Sequence, residues 1–221
     1  MKTAVLFSGG KDSCYALYWA QNQAWDVECL VSLIPEREDS YMFHYPCIDL
    51  VDAQAELTDI PLIKKDTKAE KEKELEDLKN ALKKAKEYGI EGVISGAVAS
   101  EYQRTRLERV CHELGLKSFT PLWHKDQEQL LRAEAKCMEI MIVGVYAEGL
   151  DERWLGRVID KEAIDELSQN KLLSPVGEGG EFETLTVNAP FFRERLETVE
   201  IKKEWDGTRG QIHLTTKADD P

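Results

Sequence analysis

The sequence is short of positive charge, of paired cysteines and of long apolar runs, and each shortage removes a class of protein. Against 42 Asp and Glu, the 221 residues carry 29 Lys and Arg, a net charge of −13. Broad phosphate-gripping surfaces draw on clustered positive charge, so no extended nucleic-acid binding is expected, although a locally basic pocket stays open. The five cysteines, Cys14, Cys29, Cys47, Cys111 and Cys137, are odd in number and include no Cys-x-x-Cys pair. That argues against a disulfide framework or a zinc ribbon and for reduced, mostly buried thiols. The strongest apolar run, Ile140 to Tyr146, has strand length and falls far below the roughly 18 residues of a membrane helix. Met1 to Phe7 lacks the longer apolar core and cleavage site of a signal peptide, so no membrane is expected and a cytoplasmic location is the default. Internal repeats and low-complexity linkers are missing too.

What is present is an alternation of apolar runs with amphipathic stretches. Ala4 to Phe7 reads as a strand leading through Ser8, Gly9 and Gly10 into a helix from Ser13 to Gln23. Val27 to Ile34 is a second strand, Ile48 to Leu57 a helix and Pro61 to Ile63 a third strand. From Lys68 to Tyr88, Leu75, Leu78, Leu82 and Ala85 recur at steps of three and four in a charged background, and Gly89 stands at the C-cap position. Gly92 to Gly96 gives a fourth strand, Ser100 to Leu114 a helix, and Lys117 to Thr120 a fifth strand. Strands that alternate with helices imply a parallel sheet, because each parallel step needs a crossover. The expected fold is therefore α/β, a five-stranded parallel nucleotide-binding sheet covered by helices on both faces. After Pro121 the pattern changes to a helix at 126–136, a strand at 140–146, a helix at 161–167 and β-like runs at 182–188, 197–205 and 210–216. This reads as a smaller α+β lobe, with the domains at 1–124 and 125–221 and a soft boundary between closely packed lobes.

The loop Ser8-Gly9-Gly10-Lys11-Asp12-Ser13 lies between the first strand and the first helix. Main-chain N–H groups and the positive end of the helix dipole hold anions there, and two glycines let a phosphate approach the chain. It is not the nucleotide triphosphatase loop, since Lys11 is followed by Asp12 and position 5 is not glycine, nor is it the dinucleotide fingerprint. The plainer alternative is a tight turn capped by Asp12 or Ser13. Ser8, Gly9, Gly10, Asp12 and Ser13 together nevertheless resemble the Ser-Gly-Gly-x-Asp-Ser signature of the pyrophosphatase-loop ATP family. That resemblance implies ATP held by its phosphates on residues 8–13, Mg²⁺ near Asp12, and cleavage between the α and β phosphates.

Further segments narrow it: Met42-Phe43-His44-Tyr45-Pro46, Gly96-Ala97-Val98 leading to Glu101-Tyr102-Gln103-Arg104-Thr105-Arg106, Pro121-Leu122-Trp123, Ala147 to Asp151, Trp154 to Arg157, and Gly177-Glu178-Gly179-Gly180-Glu181-Phe182-Glu183-Thr184-Leu185. In this order and spacing the chain, from about residue 1 to 195, is similar to the archaeal and eukaryotic diphthine ammonia ligase family. The resemblance implies an AMP-forming ligase that adenylates the carboxylate of diphthine on translation elongation factor 2, after which ammonia displaces AMP to give diphthamide. The chain departs from the family pattern at Cys47, where relatives often carry Asn.

The remaining candidates each have two readings. Gly96, closing the fourth strand beside the first, either lets a nucleotide lie close or marks a bend. Tyr102, Arg106 and Arg109 share one side of a helix, as a pyrophosphate clamp or as a solvated face paired with Glu101, Glu108 and Glu113. His44, among Tyr41, Phe43 and Tyr45, contacts nucleotide or substrate or belongs to a packed aromatic cluster. His112 and His213 have no second ligand at metal spacing. In an extended 181–187, Glu183 sits at the edge of an apolar face, where a carboxylate is costly unless paired or bound to a cation, so a place in an interlobe cleft is expected. The quaternary ammonium of diphthine attracts aromatic faces and carboxylates, which makes Glu178, Glu181 or Glu183, with Trp123 or Trp154, the expected subsite, and Gly179 and Gly180 of the same stretch are counted among the substrate-binding residues. Core packing is the simpler reading of either tryptophan alone. The catalytic candidates are Lys11, Asp12 and Glu183, the cofactor-binding set is Ser8 to Ser13 with Gly96, and Asp12 is the metal candidate. The rival readings are another ATP-pyrophosphate-cleaving enzyme, such as a tRNA sulfur transferase using Cys47 or Cys111, and a non-catalytic nucleotide sensor. A homo-oligomer is compatible with the sequence, which does not set the oligomeric state.

Overall fold

The computed structural model describes residues 1–35, 47–67 and 71–216. Five parallel strands, β1 (Lys2–Leu6), β2 (Asp26–Pro35), β3 (Leu62–Thr67), β4 (Gly92–Ile94) and β5 (Lys117–Phe119), form one sheet in the order β3-β2-β1-β4-β5. The helices between them are α1 (Lys11–Asn22), α2 (Val51–Thr58), α3 (Lys71–Lys86) and α4 (Glu101–Leu114). Alternate residues of β1 and β2 enter opposite cores: Ala4, Cys29 and Val31 pack with Leu78 and Leu82 of α3 and Leu107 and Val110 of α4. Val5 and Leu30 pack on the other face with Leu17 and Ala20 of α1 and Val51 of α2. Burial on both faces is why these strands read as continuous apolar runs rather than as alternation. The helix expected over 48–57 is divided into a 3₁₀ turn, Ile48–Leu50, and α2.

The second half contains α5 (Gln127–Cys137), β6 (Glu139–Val145), α6 (Lys161–Gln169), β7 (Phe182–Asn188), β8 (Thr198–Trp205) and β9 (Gly210–Thr216). Its helices start where side-chain oxygens supply caps, Asp126 accepting from the Gln129 N–H at 2.9 Å and Asp160 from that of Ala163 at 2.8 Å. The strands form an antiparallel sheet in the order β7-β6-β9-β8. β9 pairs with β6 at Gly210 and Gln211. Beyond that point the edge of β6 is taken by the segment 156–159: the Ile142 N–H donates to the Arg157 carbonyl at 3.0 Å and the Ile159 N–H to that of Ile140 at 2.8 Å. The β8–β9 ribbon thus joins β6 through the short pairing at Gly210 and Gln211.

α1 joins the halves. It contacts β1, β2 and β4 on one side and β7 and α5 on the other. Its residues Cys14, Leu17 and Ala20 belong to one apolar cluster with Ile140, Ile142, Leu185 and Val187. Among the described residues no helix is long and apolar enough to cross a membrane.

Candidate active site at the junction of the two sheets

β1 ends at Leu6, and the chain turns through Ser8 to Gly10 into α1. Gly9 adopts φ +78°, and a Cβ on it would lie 1.8 Å from Gln54 Oε1, so neither conformation nor space admits another residue. The turn is braced internally: the Ser8 N–H and Oγ reach Ser13 Oγ at 3.2 and 3.1 Å, and Ser13 Oγ donates to the Gly10 carbonyl at 3.0 Å. Capping by Asp12 or Ser13 is not what these side chains do. Gly10, without a side chain, precedes α1, and the Asp12 carboxylate instead takes Lys11 Nζ through both oxygens, at 2.8 and 2.7 Å. The first turn of α1 therefore keeps its positive end at the head of the parallel sheet.

The second sheet closes over this loop. The Lys11 N–H donates to Thr184 Oγ1 at 3.2 Å, and the Thr186 N–H to the Gly9 carbonyl at 2.9 Å. Gln54, fully buried on α2, donates through Nε2 to the Gly9 carbonyl at 2.9 Å and to that of Thr186 at 2.7 Å, stitching loop and β7 together. A cavity of 280 Å³ results, lined by Ser8, Gly10 to Ser13, Ser95 to Ala97, Ser100, Gln103 and Leu107 from the first half and by Gly177, Glu178, Phe182, Glu183 and Thr184 from the second.

Lys11, 2% exposed, is the positive centre of a group of acids. Burial alone would lower its ammonium pKa, but Asp12, Glu134 and Glu178 outweigh that and raise it above the ordinary value. Glu183 has its carboxyl pushed up to about 8, by burial first and then by the charges of Asp12 and Glu178, with Lys11 opposing. Glu178 is raised chiefly by burial; its Oε2 accepts the Ala99 N–H at 3.2 Å, which ties the second half to the loop after β4. Glu134, fully buried on α5, is raised well above the carboxylate range by burial and by the Asp12 charge. The site is thus one ammonium facing several reluctantly ionised carboxyls, suited to a polyanion on the loop and a cationic or protonated partner opposite.

Several expected residues stand elsewhere or serve another purpose. Gly96 lines the cavity, but its small size serves the protein: a Cβ would lie 2.6 Å from the carbonyl carbon and oxygen of Asp12. Tyr102 and Arg106 are not in the cavity wall; the Arg106 guanidinium lies 3.3 Å from the Tyr102 ring centroid, while the stripe Ser100, Gln103 and Leu107 of the same helix faces the cavity. Arg109 pairs with Glu113 on the surface, at 3.1 Å. Glu181 turns away from the cavity and fastens its own loop, accepting the N–H groups of Ser174 and Gly179 at 2.8 Å each. Gly179 and Gly180 are exposed outside the wall. Trp123 lies under Arg104 and stacks on His124, and Trp154, 3% exposed, is core. His44 lies outside the described residues.

The sequence reading missed Gln54, Glu134 and Thr184. For the first two a signal existed: each is a polar residue on an apolar helix stripe, Gln54 between Val51 and Ala55 and Glu134 after Leu130 and Leu131. Among the described residues no group of three or more His, Cys, Asp or Glu is arranged to hold a metal ion. None of the five cysteines is in a disulfide, and burial pushes the thiols of Cys14, Cys29 and Cys111 up to about 12.

Comparison with known proteins gives this geometry a family. The model of the diphthamide synthase N-terminal domain matches residues 1–118 and that of the C-terminal domain residues 126–219. A diphthine–ammonia ligase of Schizosaccharomyces pombe is 35% identical over 99% of this chain and 39% of its own length. That of Homo sapiens is 36% identical over 89% of this chain and 82% of its own. The chain thus spans about two fifths of the fission yeast relative and most of the human one. With both family models matched in order along nearly its whole length, the chain belongs to the diphthamide synthase family.

Proposed function

We propose that this chain is a diphthine–ammonia ligase, forming the amide of diphthamide at the expense of ATP. The observation that carries the reading is the shared cavity: residues 1–124 supply a phosphate loop with a buried lysine, and residues 125–221 supply carboxyls directly opposite. Relatives that bear this name support it. In this reading ATP binds with its β and γ phosphates on Ser8 to Ser13. Lys11 and the N-terminus of α1 neutralise charge on the departing pyrophosphate. A carboxylate oxygen of diphthine, carried by elongation factor 2, attacks the α phosphorus; ammonia then attacks the acyl carbon and AMP leaves. Most of the acceleration comes from holding the reactants together in the closed junction.

Among the described residues no three donors are grouped for a metal, which fits Mg²⁺, an ion commonly held by one or two carboxylates with substrate phosphates and waters. Asp12 is the residue to hold it, once its carboxylate is released from Lys11, and the ion would add charge neutralisation at the phosphates. Glu183, in the ionised form it takes above about pH 8, accepts a proton from ammonium or faces the quaternary ammonium of diphthine. The sulfur-transferase alternative loses support, because Cys111 is buried with a raised pKa and Cys47 Sγ is directed to the Ile212 carbonyl at 3.2 Å. Neither cysteine lines the cavity.

The test incubates the protein with ATP, Mg²⁺, ammonium and diphthine-bearing elongation factor 2, following AMP and the mass of the modified histidine. AMP with the acid-to-amide mass change is the expected result. AMP without that change means another acceptor, and ATP binding without AMP means a nucleotide sensor.

A further inference from the structure

Thr184 stands where the second sheet meets the loop before α1. Its hydroxyl oxygen accepts the Lys11 N–H at 3.2 Å, and a Cβ on Gly10 would come within 3.2 Å of its carbonyl oxygen. Neighbours along a strand point to opposite faces, yet Glu183 and Thr184 both line the cavity. The reason lies in β6. Ile142 pairs with Thr184 and Gly144 with Glu183, so Val143 is an extra residue opposite that step, and a bulge of this kind re-aims side chains.

The loop itself has few amides left to offer. The Ser8 N–H is directed to Ser13 Oγ at 3.2 Å, the Gly10 N–H to Ser8 Oγ at 3.4 Å and the Lys11 N–H to Thr184. A threonine hydroxyl, however, both accepts and donates. Thr184 is 8% exposed, and among the described residues no acceptor takes its own proton. That leaves a buried hydroxyl proton in the cavity wall, beside a loop suited to an anion.

We propose that Thr184 contacts the nucleotide: its hydroxyl receives the Lys11 N–H and donates to a β or γ phosphate oxygen, carrying the polarity of the α1 N-terminus into the cavity. This contact presupposes the placement given above, with phosphates on Ser8 to Ser13. A hydroxyl that accepts from an amide at the positive end of a helix is a stronger donor, and its bond to an anionic oxygen is short and strong. Charge builds on the pyrophosphate as the α–β bond breaks, so the contact tightens along the reaction. The second half of the chain thereby helps to hold the phosphates as well as presenting carboxyls opposite them.

Titration calorimetry of the full chain with inorganic pyrophosphate and, separately, with AMP, both with Mg²⁺, tests this without any acceptor protein. Thr184→Val keeps the shape and removes the hydroxyl. It should weaken pyrophosphate binding by about tenfold or more and AMP binding by less than about threefold. Thr184→Ala, which lets water reach the Lys11 N–H, carries the same expectation with a smaller drop in thermal midpoint. Thr184→Ser returns the hydroxyl and should bring pyrophosphate to within about threefold of the wild type. A valine variant that melts lower yet binds pyrophosphate like the wild type reduces Thr184 to a strut and overturns the proposal. So do equal losses for pyrophosphate and AMP, which mean a deformed cavity, a serine variant that fails to rescue, or a wild-type chain that does not bind pyrophosphate. Failure of the ligase reading alone shows differently, as hydroxyl-dependent pyrophosphate binding with no amide formed on the diphthine protein.

Discussion

Two glycine-rich turns meet in the cavity, and they work in different ways. The loop Ser8 to Ser13 carries its geometry within six residues, because Ser8 and Ser13 brace the turn from inside and the helix opens directly from it. The stretch Gly177 to Thr184 carries none by itself. Of its three glutamates, Glu178 and Glu183 reach the cavity while Glu181 is consumed in fastening the turn. The same residue type, two positions apart, stands as cavity-lining acid or as structural acceptor according to what surrounds it.

Lys11 is where the two turns depend on each other most. Lys11→Met removes the only positive charge that the cavity lining carries, among the described residues, against Asp12, Glu178 and Glu183, and pyrophosphate release should fall by about 10²–10³-fold. A loss below tenfold would mean that the main-chain amides suffice alone. Gln54→Leu separates the turns without touching either, leaving the buried carbonyls of Gly9 and Thr186 without their side-chain donor. The expected cost is about 2–4 kcal/mol in denaturant unfolding, and an unchanged midpoint would show that the halves hold together otherwise.

The paired variants Glu183→Gln and Glu181→Gln sharpen the comparison directly. For Glu183 the folded pKa of about 8 lies above the ordinary 4.5, so ionisation opposes folding. Below about pH 4.5 the substitution should change stability little. Between there and about pH 8 the wild type loses stability that the glutamine variant keeps, and above about pH 8 the gap stays flat, at no more than a few kcal/mol. The same variant should weaken use of the diphthine protein by about tenfold or more, with ATP affinity nearly unchanged; equal losses of both would remove Glu183 from the acceptor side. Glu181→Gln weakens two N–H contacts and should cost about 1–2 kcal/mol, leaving acceptor use intact. The smallest effect belongs to Tyr102→Phe. The Tyr102 hydroxyl has no hydrogen-bond partner among the described residues, and its removal should cost less than about 0.5 kcal/mol and leave AMP formation unchanged.

The parallel sheet was legible because strands buried on both faces and stripes at helical spacing leave strong local patterns. The strand-loop-helix at residues 2–22 was legible for the same reason, being contiguous. Glu134 was not, since its meaning comes from α5 packing against Asp12 and Lys11, more than a hundred residues away in sequence. The α4 clamp failed on angular detail: Tyr102 and Arg106 lie one step around the helix from Gln103 and Leu107, and spacing alone does not say which stripe looks inward. Gly96 was singled out for a ligand's approach when the chain's own backbone fills that space.

The apolar side of α1 lies in a cluster drawn from both sheets, so the helix has no single owner. A cut between 124 and 125 would leave each fragment with a raw face where the other had been. Calorimetry of the intact chain should accordingly show a single melting transition, with calorimetric and van't Hoff enthalpies in agreement. The cavity then shares the fate of the whole fold, persisting while the protein is native and vanishing with it rather than opening as a separate, softer event.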